Sequence, residues 1–577
     1  MAAAPPSIFR HPAGLWAQAM AAGVARQARR DWAGSPLHRA LLARPRPEGL
    51  VLAPRDWRPA DAEAGRRILA GRFLFAGVVL EVGVGGDPWD RPSPSHGFAV
   101  GLHGFDWMRD LLAAGPAGAT EALRLTLDWR KLFGKWNAFS WSPEVLERRV
   151  SHLACGAKAI CDGASDMEAG LIAQDLARQA RHLLSLADGP ARAAERASVA
   201  ALAGAALGGE AGERLLKHGL MRLVKALPVS VAPDGGHASR CPRAALELLY
   251  DLRILDDALE QRGRPAPEEM MRAIDRLAGA VRFFTLADGA LPELQGGEAG
   301  TRSYVAAVRA GEGGGAAKPP AARNGYHRLQ GRSLQILADA AAPAQGAWSV
   351  TACAQPLAME VLADGRRLIA ASAWSPEAAG PQALRLVDAS STLSIADEPC
   401  GEPLRGFRAA ALGPRLVGAY EHVEARRYET EQALWLELAH DGWARRFGLR
   451  HERRLYLDLV ADELRGEDML APVKPGEMGQ AGRRFIPFKV RFHVHPDVSA
   501  SLARDGKSVL LRSGEDDHGW WLRNDAHSAD IETGVYFQDG KPRRTQHIVL
   551  RGQARADSGA KLRWKLASAA PAAGPPL

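Results

Sequence analysis

The apolar residues of this 577-residue chain change their period once, near residue 310, and that change limits the folds open to it. From about residue 60 to 310 they recur at helical spacing in an Ala-, Leu- and Arg-rich background. SPEVLERRVSHLACGAKAI (142–160), AGLIAQDLARQARHLLSLA (169–187) and RAALELLYDLRILDDALEQRG (243–263) show the pattern. Several of these runs start at Asp, Ser or Pro and stop at Gly, as helix caps require. Many helices with short loops and no alternating strands predict a stacked or toroidal helical domain over 61–309, after an N-terminal extension over 1–60.

The segment AGEGGGAAKPPAAR (310–323) reads as a linker, because Gly, Ala and Pro dominate it. Beyond it the period becomes two and the runs shorten, as in SLQILADA, LAMEVLADGRRLIAAS, KSVLLRS and TQHIVLRG. AspGly pairs at 364–365, 441–442, 505–506 and 539–540 punctuate these runs as turns. Short strands at regular spacing predict an antiparallel β-sandwich over 324–570, with a tail over 571–577. The fold class is therefore multidomain: a helical (α/α) toroid followed by a sandwich.

Bulk charge narrows the partners only a little. Lys plus Arg is 74 against 66 for Asp plus Glu, a formal charge of +8, which suits an anionic partner but also mere solubility. No recognised nucleic-acid motif accompanies it, so nucleic acid is not an expected partner. Five cysteines with no CxxC pair argue against a disulfide framework and against a zinc ribbon. No apolar run is long enough to span a bilayer, and Arg10, His11 and Gln18 interrupt any signal-peptide core. A cytoplasmic location is the expectation, with a periplasmic one open if the start codon is misassigned.

Several stretches, in order and spacing, resemble the heparinase II/III family of polysaccharide lyases. They include LHGFDWMRDL (102–111), WSPEVLERRV (141–150), PDGGHASRCP (233–242), NGYHRLQGRSLQILADA (324–340), HDGWARRFGLRHERRLYL (440–457) and RFHVHPDVSASLARDGKSVLL (491–511). The resemblance implies the same toroid-plus-sandwich fold and an acidic polysaccharide as partner. It also implies β-elimination beside a uronic acid. That step needs the uronate carboxylate neutralised, a base at the α-carbon proton and an acid at the leaving oxygen.

The residues that would supply this chemistry are largely replaced. The family stretch runs roughly Asp-Gly-Gly-His-x-Glu-Arg-Ser-Pro-x-Tyr-His. Here Asp234 to His237 keep its start, but Ala244 and Ala245 stand at the tyrosine and histidine. Alanine transfers no proton. Tyr250, on the same predicted helix, points about 120° away. Where the resemblance implies a histidine-and-aspartate metal site, Thr351, Cys353 and Gln355 occupy the first segment and Ser390, Ser391 and Thr392 the second. No metal site and no cofactor is expected.

The remaining candidates are His237, Tyr326 and His327 for proton transfer, and Arg240, Arg243, His451 and Trp520 for substrate. Arg forks bind carboxylates in pairs of bonds, and tryptophan stacks on sugar rings. Each has a plainer reading: His237 and Tyr326 as structural plugs, and His451 on a solvated, charged strand. For GlyTrpTrpLeuArg (519–523), alternation turns one Trp inward and one outward. His493 and His495 share one side of a strand, where hydrogen-bonded structural roles suit them best. Two functions stay open: a lyase on an acidic, uronate-containing glycan, and a non-catalytic glycan-binding or scaffold protein that keeps the fold.

Overall fold

A computed structural model describes residues 13–186, 189–310, 320–376, 382–473, 484–514 and 518–569. The core of the expected linker (311–319) and the expected tail (571–577) lie outside the described residues. Thirteen described α-helices precede residue 311, and the antiparallel sheets follow, so the change of period marks a real change of architecture.

The helical half closes around Ala193–Ala206, whose residues from Ala194 onward are all buried. Its sequence, AAERASVAALAGAA, allows this because small side chains let a neighbouring helix come close. A Cβ on Gly204 would lie 2.3 Å from the Leu216 backbone nitrogen of the adjacent helix Gly209–Ser230. Local signals fix the other helix ends. Ser165 and Glu168 form a reciprocal capping box on Asp166–Ser185, and Pro242 starts Pro242–Gln261 where a missing N–H costs nothing.

One departure from an all-helical reading is a hairpin of Arg72–Phe75 and Val78–Glu81. Its turn residues, Ala76 (φ 45°) and Gly77 (φ 74°), are both left-handed, as a tight two-residue hairpin requires. The N-terminal helix Ala13–Gly34 leaves Trp16, Met20, Val24 and Trp32 exposed and touches the later helix Gly406–Leu412 through Trp16 and Phe407.

The sandwich is two antiparallel sheets, one of eight strands and one of nine. Alternation is clear in Leu449–Asp458 of the eight-stranded sheet, where Leu449, His451, Arg453, Leu455 and Leu457 point into the core. The nine-stranded sheet is different. Leu334–Asp339 and Met359–Ala363 are buried on both faces. One face meets the other sheet and the other carries the helical half, with Leu337 and Leu362 joining the toroid's core while Ile336 and Val361 join the sandwich's. Polar side chains on the outer face of this sheet are therefore trapped between the two halves.

Candidate functional site

Two polar regions bring together what the sequence singles out. One lines the inner side of the toroid and the joint with the sandwich. The other is inside the sandwich.

His237 sits in a tight turn after Gly235 (φ 87°), bridged by Val231. It is 3% exposed. Its Nδ1 accepts from the Ser239 N–H (3.2 Å), which leaves Nε2 as the protonated nitrogen, 3.3 Å from Glu195 Oε1. Trp348 stands edge-on against the ring. Burial works against ionisation of Glu195, but His237 and Arg192 beside it hold its carboxyl down at about 2. The arrangement is a histidine oriented by a carboxylate, closed off from solvent.

Arg240, left-handed at φ 62°, is the fastening between the halves. Its guanidinium meets Asp339 at 2.5 Å and donates to the carbonyls of Asn324, Gly325, Ala341 and Ala342. Tyr326 is fully buried above it and donates its hydroxyl to the Arg240 carbonyl at 2.9 Å. Burial, reinforced by Asp339, pushes that phenol well above its usual range. His327, one residue on, is half-buried and held low by burial and by Arg427. The structure thus brings His237, Arg240 and Tyr326 into one joint, with each side chain already engaged by the protein.

Beyond this joint lies a set of charges that sequence reading largely missed. Arg58 pairs with Asp251 (2.5 Å), Asp56 (3.4 Å) and Glu247 (3.6 Å). Arg243 pairs with Glu247 and Glu298, both at 2.7 Å. Arg148 pairs with Asp106, Arg109 with Asp56, and Arg192 with Glu147. Burial outweighs Arg58 at Asp251 and lifts its carboxyl to about 7. Arg192 is 53% exposed above buried Glu147 and Glu195, so it marks the open side of the cluster. Each of these five arginines is matched by a carboxylate of the chain itself. The signal available in sequence was Glu195–Arg196 within a run of small residues, a charged pair too costly to bury without a partner.

Ala244 and Ala245 lie in the first turn of the helix Pro242–Gln261, with Ala245 in the core. Tyr250 donates its hydroxyl to the Tyr304 carbonyl at 2.5 Å, so it does not take over the missing tyrosine's place. Tyr304 is itself notable: its hydroxyl accepts from Arg109 Nη2 at 3.2 Å, and Arg243 lies over its ring.

His451 and Trp520 lie in the sandwich, away from this cleft. His451 is fully buried rather than on a solvated face, because strand register turns it inward. Its neighbours fix a directed chain. The Gly442 N–H donates to His440 Nδ1, so His440 Nε2–H donates to His451 Nδ1 (3.2 Å), and His451 Nε2–H donates to Asp468 Oδ1 (2.8 Å). Trp520 packs in the sandwich core at 3% exposure, and the outward partner in the pair is Trp521, over which Arg523 lies. Neither His451 nor Trp520 reaches a ligand surface.

The segments where the resemblance implies a metal do not fit one. Gln355 spends its amide on the Leu384 and Leu386 carbonyls, and the Cys353 thiol faces the Thr351 carbonyl. Two buried guanidinium cations already gather the surrounding backbone. Arg385 takes the carbonyls of Ser349, Ala352 and Pro414, and Arg453 those of Leu357 and Ser391. Among the described residues no three His, Cys, Asp or Glu side chains converge as metal ligands.

Comparison with known proteins agrees with this architecture. Residues 314–565 match the family described as heparinase II/III-like, C-terminal. The FtsZ-localized protein C of Caulobacter vibrioides (strain NA1000 / CB15N) is 52% identical over 557 residues, 96% of each chain. A crystal structure of heparinase III superposes with a TM-score of 0.68 at 16% identity, covering 92% of this chain and 89% of that one. The heparan sulfate lyase HepC from Pedobacter heparinus, in a mutant form, gives 0.57 at 14% identity, covering 97% and 91%. Helical toroid, sandwich and full-length likeness coincide: the chain belongs to the heparinase II/III family.

Proposed function

We propose that this protein is a non-catalytic member of its family, a binding or scaffold protein that keeps the toroid–sandwich frame without its elimination chemistry. The observation that carries the reading is the commitment of the cleft. Ala244 and Ala245 stand where proton-transfer groups are expected, and Tyr326 and His237 are sealed into the domain joint. Arg58, Arg148 and Arg243 each already hold a carboxylate of the chain, so a uronate would have to displace an internal partner. The relative named for localisation with FtsZ supports a place of action beside that protein. Large apolar side chains left in water on Ala13–Gly34 suit a binding role as well.

The test combines an activity and a location. Purified protein is assayed on a panel of acidic polysaccharides by the ultraviolet absorbance of an unsaturated uronate, and a fluorescent fusion is imaged beside labelled FtsZ. No product together with co-localisation is the expected result. Product formation sinks the non-catalytic reading, and a diffuse fusion sinks the scaffold.

One observation favours a second reading, a lyase with a relocated base. Tyr304 lies between Arg109, which donates to its hydroxyl, and Arg243, which lies over its ring, two cations that could also meet an acidic sugar. In that case Tyr304→Phe abolishes the absorbance signal, while Tyr326→Phe lowers stability.

A further inference from the structure

The loop from Thr285 to Thr301 leaves the last long toroid helix and lies as a strap across the outer face of the nine-stranded sheet. Side chains of the sheet hold it, largely through its backbone. Gln335 accepts from the Ala287 N–H, Arg367 donates to the Leu291 carbonyl, and Glu360 accepts from the Glu293 N–H at 2.6 Å. At its centre two carboxylates share one guanidinium nitrogen. Arg367 Nη1 is 2.6 Å from Glu293 Oε1 and 3.2 Å from Glu360 Oε2. Asp288 is a third carboxylate on the same arginine, at 3.1 Å from Nη2. Tyr536 donates its hydroxyl to Glu293 Oε1 at 2.5 Å. Glu293, Glu360 and Arg367 are all buried.

Three negative charges around one positive charge, away from water, do not balance. Like carboxylates at this spacing do not both ionise when a single cation serves them. Glu293 Oε2 has no hydrogen-bond partner, and Glu360 Oε2 has only the ion pair with Arg367 Nη1 and no hydrogen bond, so the shared proton has a vacant oxygen on Glu293 to occupy. We propose that this cluster is a proton-linked latch: docking the strap onto the sheet takes up one proton, shared by Glu293 and Glu360.

The remaining charges facing the cluster do not supply the missing balance. His495, against Tyr536, is pulled down to about 4 by burial and by Arg367, so it stays neutral near pH 7. Arg543 is taken by Asp497, and Asp339, farther along the sheet, by Arg240. Burial lifts the Glu360 carboxyl to about 8 against the pull of Arg367, and lifts Glu293 in the same direction. The sign follows. Between the ordinary carboxyl value of 4.5 and about 8 the docked strap holds more protons than the released one, so docking weakens as pH rises. Above about 8 both forms are ionised and the dependence levels off. Release of the strap leaves the other contacts between the halves in place, among them Arg240–Asp339, Asn324–Asp234 and Arg328 on the Phe283 carbonyl.

The experiment is hydrogen exchange of the full chain, read by mass spectrometry on peptides from 285–301 at pH 6 and pH 8 and corrected for intrinsic exchange. The expected result is a local opening constant that rises roughly tenfold per pH unit, while peptides of the Ala193–Ala206 helix do not change. Glu360→Gln, which keeps a neutral side chain in place, is expected to remove that dependence. Glu293→Gln does the same and serves if the first variant does not fold. An opening constant equal at the two pH values in the unmodified chain overturns the latch. So does an unchanged pH dependence in either folded Gln variant.

Discussion

The toroid cleft and the sandwich interior use the same residue types to opposite ends. Both gather histidine, arginine and carboxylate. In the cleft, Arg192 remains half in water, and Arg243, Glu247 and Glu298 are partly exposed. In the sandwich, His451, Arg453 and Asp468 have no exposure at all, and Trp564 closes the second Asp468 oxygen at 3.0 Å. The difference lies in solvent. Where water reaches one side, an ion pair is a weak, exchangeable contact. Where it does not, each group becomes obligatory, because removing one strands the others. A polar cluster in a fold of this kind is therefore a candidate for function only where one side stays open.

The strongest way to break the comparison is to cut the closed cluster. Asp468→Ala leaves Arg453 charged and buried with carbonyl partners alone. A loss of about 3–5 kcal/mol is expected, read as a lower urea midpoint. Arg240→Met acts at the joint, strands Asp339 and frees four carbonyls. About 2–5 kcal/mol is expected there. Faster limited proteolysis between the halves would distinguish that loss from core unfolding.

A pH titration sharpens the same contrast with a smaller effect. Burial, with the neighbouring rings and arginines, pulls His440, His451 and His493 below the ordinary value of 6.5. The unfolded chain takes up these protons as pH falls below 6.5, while the folded chain resists, so stability drops on acidification. His451→Gln should shallow this slope in denaturant midpoints between pH 7 and pH 5. An unchanged slope would place the acid sensitivity elsewhere.

The fold was legible because its signals are local. A single change of period, the AspGly turns and the Pro and Ser caps each act within a few residues. The hairpin Arg72–Phe75/Val78–Glu81 escaped because its strands are four residues each, too short for periodicity to separate from helix. The site was legible only in what it lacks. Ala244 and Ala245 can be read directly, since no environment gives alanine a proton to transfer. His451 and Trp520 were misplaced because alternation gives two faces and does not say which is inward. Asp56 and Arg58 lie together in one segment and Asp251 in another far along the chain, and only folding shows that they meet, as it does for Glu195 and His237.

The smallest expected effect is at the open rim, and it bears directly on function. Arg192 pairs with Glu147 from a half-exposed position. Removing it by Arg192→Ala should cost about 1–2 kcal/mol. That is less than cutting a fully buried pair because Arg192 is half in water, but more than an exposed pair because Glu147 and Glu195 stay buried. Glu147 and Glu195 remain beneath it, and the cleft becomes more negative. If the cleft served an acidic glycan, this variant would weaken binding more than it weakens folding, and added salt would narrow the gap. If the cleft is a committed internal network, glycan binding by calorimetry should be as weak in the unmodified chain as in the variant. The variant separates the two because its effect on stability is small. Asp468→Ala could not, since any loss of binding there would follow from the loss of the fold.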